Sequence, residues 1–475
     1  YFAGVAKTAS GAFVLLTLDS NTTSEIWFVP AAAPYSAPQV LAPRRQGHEY
    51  SADERGGWFY LRSNLDAANF RVLAAPVTAW AAGRGHPQLP AAAGDEAAWR
   101  EVVAHDPDFL IEQIHAFADY LVLFGRHEGL PVLRVLAMAP DGPQVLASHA
   151  VALPEAVYTC NLLRNALYAT SLLYFAYSSL KTPNTVYAYD MQARTLTVIK
   201  QEEVSGYDPA AYGVERLWAT APDGARVPVS LVYRQGTPRS GDNPCYLYGY
   251  GAYGASTEPR FQSQRISLLQ RGFVLALAHV RGGSELGRAW YEGGKLMHKR
   301  NSFTDFIACA ELLIAEGYTR PARLAIGGRS AGGLLVGAVT NLRPDLFAAV
   351  YAGVPFVDVI NTMLDASIPL TAMEYDEWGH PDDPQQYAYM RSYSPYDNLA
   401  AGRYPRLLLT AGLHDPRVQY WEPAKFVAKL RSLADGAPAN PVLLRTIMSA
   451  GHRGPTGRYE YLRETAFEYA FFLDV

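Results

Sequence analysis

Ser330 stands in Gly328-Arg329-Ser330-Ala331-Gly332, between an apolar run at 324–326 and another at 334–336. The pattern reads as a strand, a tight turn and a helix, with the serine at the turn. The positions two before and two after the serine must be small, so that strand and helix can pass closely. The hydroxyl then lies at a helix N-terminus, whose dipole favours developing negative charge. A serine hydroxyl is a weak nucleophile until a base takes its proton. His452, in Ala450-Gly451-His452 after the apolar run 442–447, is the candidate base. Asp415, in Gly412-Leu413-His414-Asp415 after the run 407–410, is the candidate acid that fixes the imidazole tautomer. His414 competes with His452 by residue type, but it sits beside the acid on the same loop. The bland reading of the serine motif is a glycine turn before a buried helix.

Serine, acid and histidine in this chain order are the α/β-hydrolase arrangement, with each residue placed just after a strand. Such a site needs two donors for the oxyanion. Ala331, after the nucleophile, offers its backbone N–H. Tyr248-Gly249-Tyr250-Gly251-Ala252-Tyr253-Gly254 follows an early apolar run and offers a phenol, or is simply an aromatic–glycine turn.

The elements that must position these residues fall into two halves. From about residue 215, apolar runs at 245–248, 273–278, 324–326, 348–352, 407–410 and 442–447 alternate with helical patterns at 303–315, 333–341, 423–433 and 459–472. This alternation predicts a mainly parallel sheet with helices on both faces, preceded by a hairpin around Asp223-Gly224. Residues 1–205 differ. Short apolar runs come in pairs, at 13–16 and 26–29, 58–61 and 70–73, 120–123 and 132–136, and 172–175 and 186–189. Each pair reads as an antiparallel hairpin, and the pairs recur roughly every fifty residues, as propeller blades do. The expectation is a partial all-β propeller of about four blades over 1–205 and an α/β-hydrolase domain over 206–475. A β-sandwich with irregular spacing is the alternative for the first half. The link falls near residues 202–208.

Composition excludes several classes. Hydrophobic residues make up 49% and charged residues 18%, which is globular. A net charge of −4 leaves no basic footprint for nucleic acid. No apolar run is long enough to span a membrane. Cys160, Cys245 and Cys309 are far apart, which suggests neither a disulfide framework nor a zinc site and points to a reducing, cytoplasmic compartment. The chain opens Tyr-Phe-Ala-Gly, without methionine or signal segment, as a fragment or a processed product would.

Five stretches carry a resemblance: 247–251 (Leu-Tyr-Gly-Tyr-Gly), 281–287 (Arg-Gly-Gly-Ser-Glu-Leu-Gly), 328–333 around Ser330, 354–358 (Val-Pro-Phe-Val-Asp) and 414–423, which ends Tyr-Trp-Glu-Pro. With them the chain resembles the prolyl oligopeptidase family of serine peptidases, and within it the oligopeptidase B branch. The first half resembles the later part of that family's β-propeller, whose early part and amino-terminal arm have no counterpart here. The resemblance implies that Tyr250 donates its hydroxyl to the oxyanion and that Arg417 bonds a substrate carbonyl. It implies that Glu374 and Asp376 bind a basic side chain just before the scissile bond, and that Tyr253 and Glu258 also touch substrate. Positions i and i+2 face the same way in an extended segment. Two such carboxylates repel unless a cation joins them, which arginine does bidentately and lysine as a point charge. A solvated acidic turn of Glu374, Asp376 and Glu377 is the alternative. Two residues depart from the family pattern: Arg260 stands where an acid is usual, and Arg453 follows the histidine where glycine is usual.

The implied activity is hydrolysis of short peptides after Arg or Lys through an acyl-enzyme. It needs no metal or organic cofactor. The implied partners are short basic peptides rather than nucleic acid or membrane, and the monomer is the expected state. Hydrolysis of esters or acylated amino acids on the same fold is one alternative. A non-catalytic propeller interaction protein is the other.

Overall fold

The computed structural model describes residues 1–77, 99–433 and 439–473. They form two compact units. The first holds Tyr1–Ser178, Asn184–Glu202 and Leu286–Arg288, and the second holds Ser179–Pro183, Glu203–Glu285 and the remainder.

The first unit is made of four antiparallel sheets, each of four strands in chain order. Their strands are β1–β4 (Phe2–Lys7, Phe13–Asp19, Ser24–Pro30, Gln39–Ala42), β5–β8 (Tyr50–Arg55, Trp58–Ser63, Arg71–Pro76, Arg100–Val103), β9–β12 (Phe109–Ala116, Tyr120–His127, Leu130–Met138, Val145–Ala150) and β13–β16 (Thr159–Leu162, Leu172–Ser178, Thr185–Asp190, Thr195–Gln201). These are propeller blades. The paired apolar runs of the sequence are the second and third strands of each blade.

Alternation explains how the blades hold together. Successive side chains of a strand point to opposite faces. Phe59 and Leu61 therefore pack on Phe13, Ile26 and Phe28 of the first blade, while Tyr60 packs with Leu121 and Leu136 of the third. Val122, Phe124 and Leu133 of the third blade meet Leu173, Phe175 and Tyr189 of the fourth. Phe59 lies 5.0 Å, ring to ring, from both Phe13 and Phe28. Each such phenylalanine contributes about 1.5–3 kcal/mol by leaving water.

The second unit is built on one eight-stranded sheet. Its strands are β17 (Tyr212–Thr220), β18 (Arg226–Arg234), β19 (Cys245–Tyr248), β20 (Val274–Ala278), β21 (Leu324–Arg329), β22 (Ala349–Gly353), β23 (Arg406–Gly412) and β24 (Val442–Ile447), in the order β17-β18-β20-β19-β21-β22-β23-β24. The hairpin β17–β18 turns at Asp223-Gly224 and meets β20 antiparallel, and every later pairing is parallel. Both faces are covered, so inner strands read as unbroken apolar runs, and β20 is buried throughout. On one face Leu275, Leu277, Tyr351 and Leu408 cluster with Phe471 and Phe472 of the helix Arg458–Phe472. On the other, Gly249 lies against Phe306 and Leu335, from the helices Arg300–Ala315 and Ala331–Leu342. The strands β21, β23 and β24 all end at one edge, and each leads into a loop bearing one of the three candidate residues.

Candidate active site

Ser330 is the single residue between β21 and the helix Ala331–Leu342. Its backbone is left-handed, at φ 58° and ψ −118°, a conformation that costs a non-glycine residue of order 1–3 kcal/mol. Neighbouring elements hold it there. Its N–H donates to Gly353 O (2.8 Å), and its carbonyl accepts from Gly333 N (2.8 Å) and Phe356 N (3.1 Å). Gly328 and Gly332 are obligatory at this crossing. A Cβ on Gly328 would fall 2.0 Å from Gly332 O, and one on Gly332 would fall 2.7 Å from Gly249 O.

Asp415 is 3% exposed. Its Oδ1 accepts from the N–H groups of Arg417 (2.9 Å) and Val418 (3.0 Å), so the carboxylate has one orientation. Its Oδ2 lies 2.7 Å from His452 Nδ1. The two loops are also joined through backbone, His414 N–H donating to Ala450 O at 3.0 Å. His414 itself is exposed. With Nδ1 bonded to the acid, Nε2 is the nitrogen left to accept a proton. Ser330 and His452 line one cavity of about 410 Å³, together with Val354, Thr410, Gly451 and Arg453.

Ala331 is the first residue of the helix, where an N–H has no intrahelical partner. The Tyr250 ring lies beside this turn, since a Cβ on Gly332 would be 3.4 Å from Tyr250 Cδ2. Burial, with nearby Tyr248, Glu374 and Glu377, pushes the Tyr250 phenol up to about 12, against the opposing pull of Arg417. The phenol therefore stays a hydrogen-bond donor across ordinary pH.

The acidic segment is not extended. A 3-10 turn, Thr371–Met373, runs into a helical turn, Tyr375–Trp378, which ends at Gly379 (φ 113°). The i, i+2 geometry expected for Glu374 and Asp376 is therefore replaced by the i, i+3 and i, i+4 neighbours of a helix. Glu374 is half-buried, and its Oε2 accepts from Trp378 Nε1 (2.7 Å). Tyr253 bonds Glu374 through its hydroxyl. Burial and the charge of Glu377 raise the Glu374 carboxyl above its usual range, while Trp378, Tyr253 and Arg417 oppose this. Asp376 and Arg417 are exposed.

Glu377 and Trp378 escaped the sequence reading as functional groups. Glu377 is buried and accepts from Tyr253 N (2.8 Å) and Tyr291 Oη (2.7 Å). The available signal was Trp378-Gly379, an aromatic residue followed by a helix-ending glycine. Glu258 and Arg260 line a second cavity of about 470 Å³, with Tyr250 and Tyr248. Arg329 lines both cavities and donates to Tyr351 Oη (2.7 Å).

A second set has the same residue types. Ser230 Oγ lies 2.7 Å from His279 Nε2, and His279 Nδ1 lies 3.5 Å from Glu285 Oε1. All three side chains are buried, and none lines either cavity. Buried in this way, the set is a polar link within the fold.

Among the described residues, no group of three or more His, Cys, Asp or Glu is placed to hold a metal ion, and no helix is long and apolar enough to cross a membrane. The three cysteines are buried.

Residues 259–475 match the Prolyl oligopeptidase family, and residues 1–202 match the prolyl oligopeptidase N-terminal beta-propeller domain. The chain belongs to the prolyl oligopeptidase family. Within this family it is similar to "Dipeptidyl aminopeptidase BI" of Pseudoxanthomonas mexicana, 43% identical over 100% of this chain and 63% of that protein. It is 41% identical to "Protease 2" of Moraxella lacunata, over 99% of this chain and 65% of that one. Among solved structures, oligopeptidase B from Leishmania major superposes with a TM-score of 0.90 at 40% identity, over 99% of this chain and 65% of that one. Oligopeptidase B from Trypanosoma brucei with covalently bound antipain, in a closed form, gives 0.90 at 41%, with the same coverage. The chain thus spans a little under two-thirds of the length of these prolyl oligopeptidase relatives.

Proposed function

We propose that this chain carries the catalytic machinery of a serine endopeptidase that cleaves short peptides after Arg or Lys. The observation that carries the reading is the 2.7 Å contact of His452 with Asp415, beside a strained Ser330 in the same cavity. Ser330 Oγ attacks the scissile carbonyl as His452 Nε2 takes its proton. Asp415 holds the tautomer and stabilises the imidazolium. The oxyanion forms against Ala331 N–H and the Tyr250 hydroxyl. His452 then returns the proton to the leaving amine, and water hydrolyses the acyl-enzyme by the same steps in reverse roles. No metal or organic cofactor enters this scheme.

Basic specificity rests on Glu374, half-buried and oriented by Trp378 and Tyr253, with Asp376 adding charge from the exposed side of the same turn. Arg417 is the candidate partner of a substrate carbonyl. Glu258 lies in the cavity that also holds Arg260, so an acidic pair for a second basic residue is incomplete here. The reading extends to a cytoplasmic monomer acting on short basic peptides. Cleavage of paired short substrates that differ only in Arg or Leu before the scissile bond tests the specificity. Equal rates would remove it and leave the hydrolase reading standing.

The name of the Pseudoxanthomonas relative favours a second reading, release of dipeptides from a free amino terminus. Blocked and unblocked versions of one Arg-containing substrate separate the two. An endopeptidase cleaves both, and a dipeptidyl aminopeptidase cleaves the free form alone.

A further inference from the structure

Lys299 is buried at 1% exposure, at the start of the helix Arg300–Ala315. Its ammonium has three N–H groups and three acceptors: Gly251 O, Gly294 O at 3.1 Å and Ser302 Oγ at 3.2 Å. Gly251 directly follows Tyr250. The same nitrogen stands 5.2 Å from the ring of Trp378, whose indole N–H holds Glu374. Glu377, on that helical turn, fixes the other end of the Tyr250 loop through Tyr253 N. One buried cation thus touches both the loop with the oxyanion phenol and the turn with the specificity carboxylate.

We propose that Lys299 is a positioning residue for the serine-peptidase reaction: its protonated ammonium holds the Tyr250 loop and the Glu374 turn in register, and its deprotonation sets the alkaline limit of turnover. This rests on the reading given under Proposed function. A neutral amine has two N–H groups and a lone pair. One of the three acceptors must then face that lone pair. Gly251 O and Gly294 O have no proton to offer it. Ser302 can turn to donate only by releasing Arg281 O, to which its hydroxyl now donates at 2.7 Å. Each arrangement breaks one bond of this enclosure, at Gly251 O, at Gly294 O or between Ser302 and Arg281 O, and so loosens the packing around the Tyr250 loop.

The charged and titratable surroundings agree. Glu377 faces Lys299 from the turn Tyr375–Trp378, and its carboxylate is shared between Tyr253 N and Tyr291 Oη. Asp305 faces it from its own helix and is paired with Arg281, which also meets Asp223. Lys295 lies over the Tyr291 ring and pairs with Glu292. Among the described residues, Lys299 touches no carboxylate directly. Burial pushes it down to about 8, against the attraction of Glu377 and Asp305. The Tyr250 phenol, up at about 12, does not titrate in that range.

The test is the pH profile of kcat and KM for an Arg-containing fluorogenic peptide, read beside fluorophosphonate labelling of Ser330. Wild type should label and show an alkaline limb near pH 8. Ser302→Ala removes an acceptor, and Glu377→Gln removes a facing charge. Both changes disfavour the ammonium, so the limb should move to lower pH by about half a unit or more. Lys299→Met should lower kcat about tenfold or more with a smaller change in KM, and should flatten the limb. Lys299→Arg, which keeps the charge, should also carry no limb near pH 8. If Lys299→Met does not fold, Ser302→Ala and Glu377→Gln decide. Variants that label and turn over with an unmoved limb overturn the proposal and leave the peptidase reading intact. A wild-type protein that neither labels nor cleaves overturns both.

Discussion

His452 Nδ1 meets Asp415 Oδ2 at 2.7 Å across 37 residues of chain, and the acid's other oxygen is held by two backbone N–H groups. The imidazole therefore has one tautomer and one orientation before substrate arrives. Asp415→Asn presents an N–H where an acceptor is needed. We expect kcat to fall by about ten-thousand-fold with the fold retained, measured by steady-state kinetics alongside circular dichroism. Ser330→Ala should abolish fluorophosphonate labelling altogether.

Tyr250→Phe removes one oxyanion donor and leaves Ala331 N–H. The expected loss is about a hundredfold in kcat with KM nearly unchanged, because the bond strengthens only as charge develops. A raised KM with kcat unchanged would assign Tyr250 to ground-state binding instead.

Glu374 must be ionised to pair with a substrate cation. Burial raises its carboxyl, so protonation begins at a higher pH than for an ordinary carboxylate. For Arg substrates kcat/KM should fall on the acid side before it does for Leu substrates. Glu374→Gln should cut kcat/KM for Arg by about tenfold to a hundredfold and erase that difference.

Glu422 is fully buried, accepting from Val357 N (2.9 Å), Asp358 N (3.0 Å) and Thr362 Oγ1 (2.7 Å). Burial pushes its carboxyl up to about 7, helped by nearby Asp358 and opposed by those hydrogen bonds. Between the ordinary carboxylate range and that value, the folded state binds the proton that the unfolded state has released. Stability from this group is therefore full at low pH and declines as pH rises towards 7, then levels. Glu422→Gln keeps an acceptor oxygen and should flatten that slope, read from urea midpoints at about pH 5 and pH 8.

Gly332→Ala puts a methyl group 2.7 Å from Gly249 O, where both partners are backbone. We expect a loss of about 2 kcal/mol or more in urea unfolding. A change at exposed Gly402, where an added Cβ meets nothing within 4 Å, serves as the control.

The candidate site was legible where chemistry constrains the sequence. An elbow must have small residues around its serine, and strand order places acid and histidine after late strands. Cys245–Tyr248 and Val442–Ile447 were readable to the residue because apolar runs there end at abrupt turns. Blade centres were visible as apolar pairs. Outer strands such as Val145–Ala150 and Thr195–Gln201 were not, because they are largely exposed and carry little hydrophobic pattern. The helical turn at Tyr375–Trp378 was missed because one turn is too short to show a period. Lys299 was invisible for another reason. In His298-Lys299-Arg300 it reads as a solvated cation, and only tertiary structure reveals the three acceptors that enclose it.

The order β19-β21-β22-β23-β24 puts the nucleophile's strand between two kinds of neighbour. The phenol proposed to face the oxyanion comes from the loop after β19, on one flank. The acid and imidazole of the proposed triad come from the loops after β23 and β24, on the other. The loop after β19 can therefore be varied beyond Tyr250 while the loops of Asp415 and His452 stay untouched, so a laboratory library confined to residues 253–260 would separate the peptide preference of the proposed site from its proposed triad.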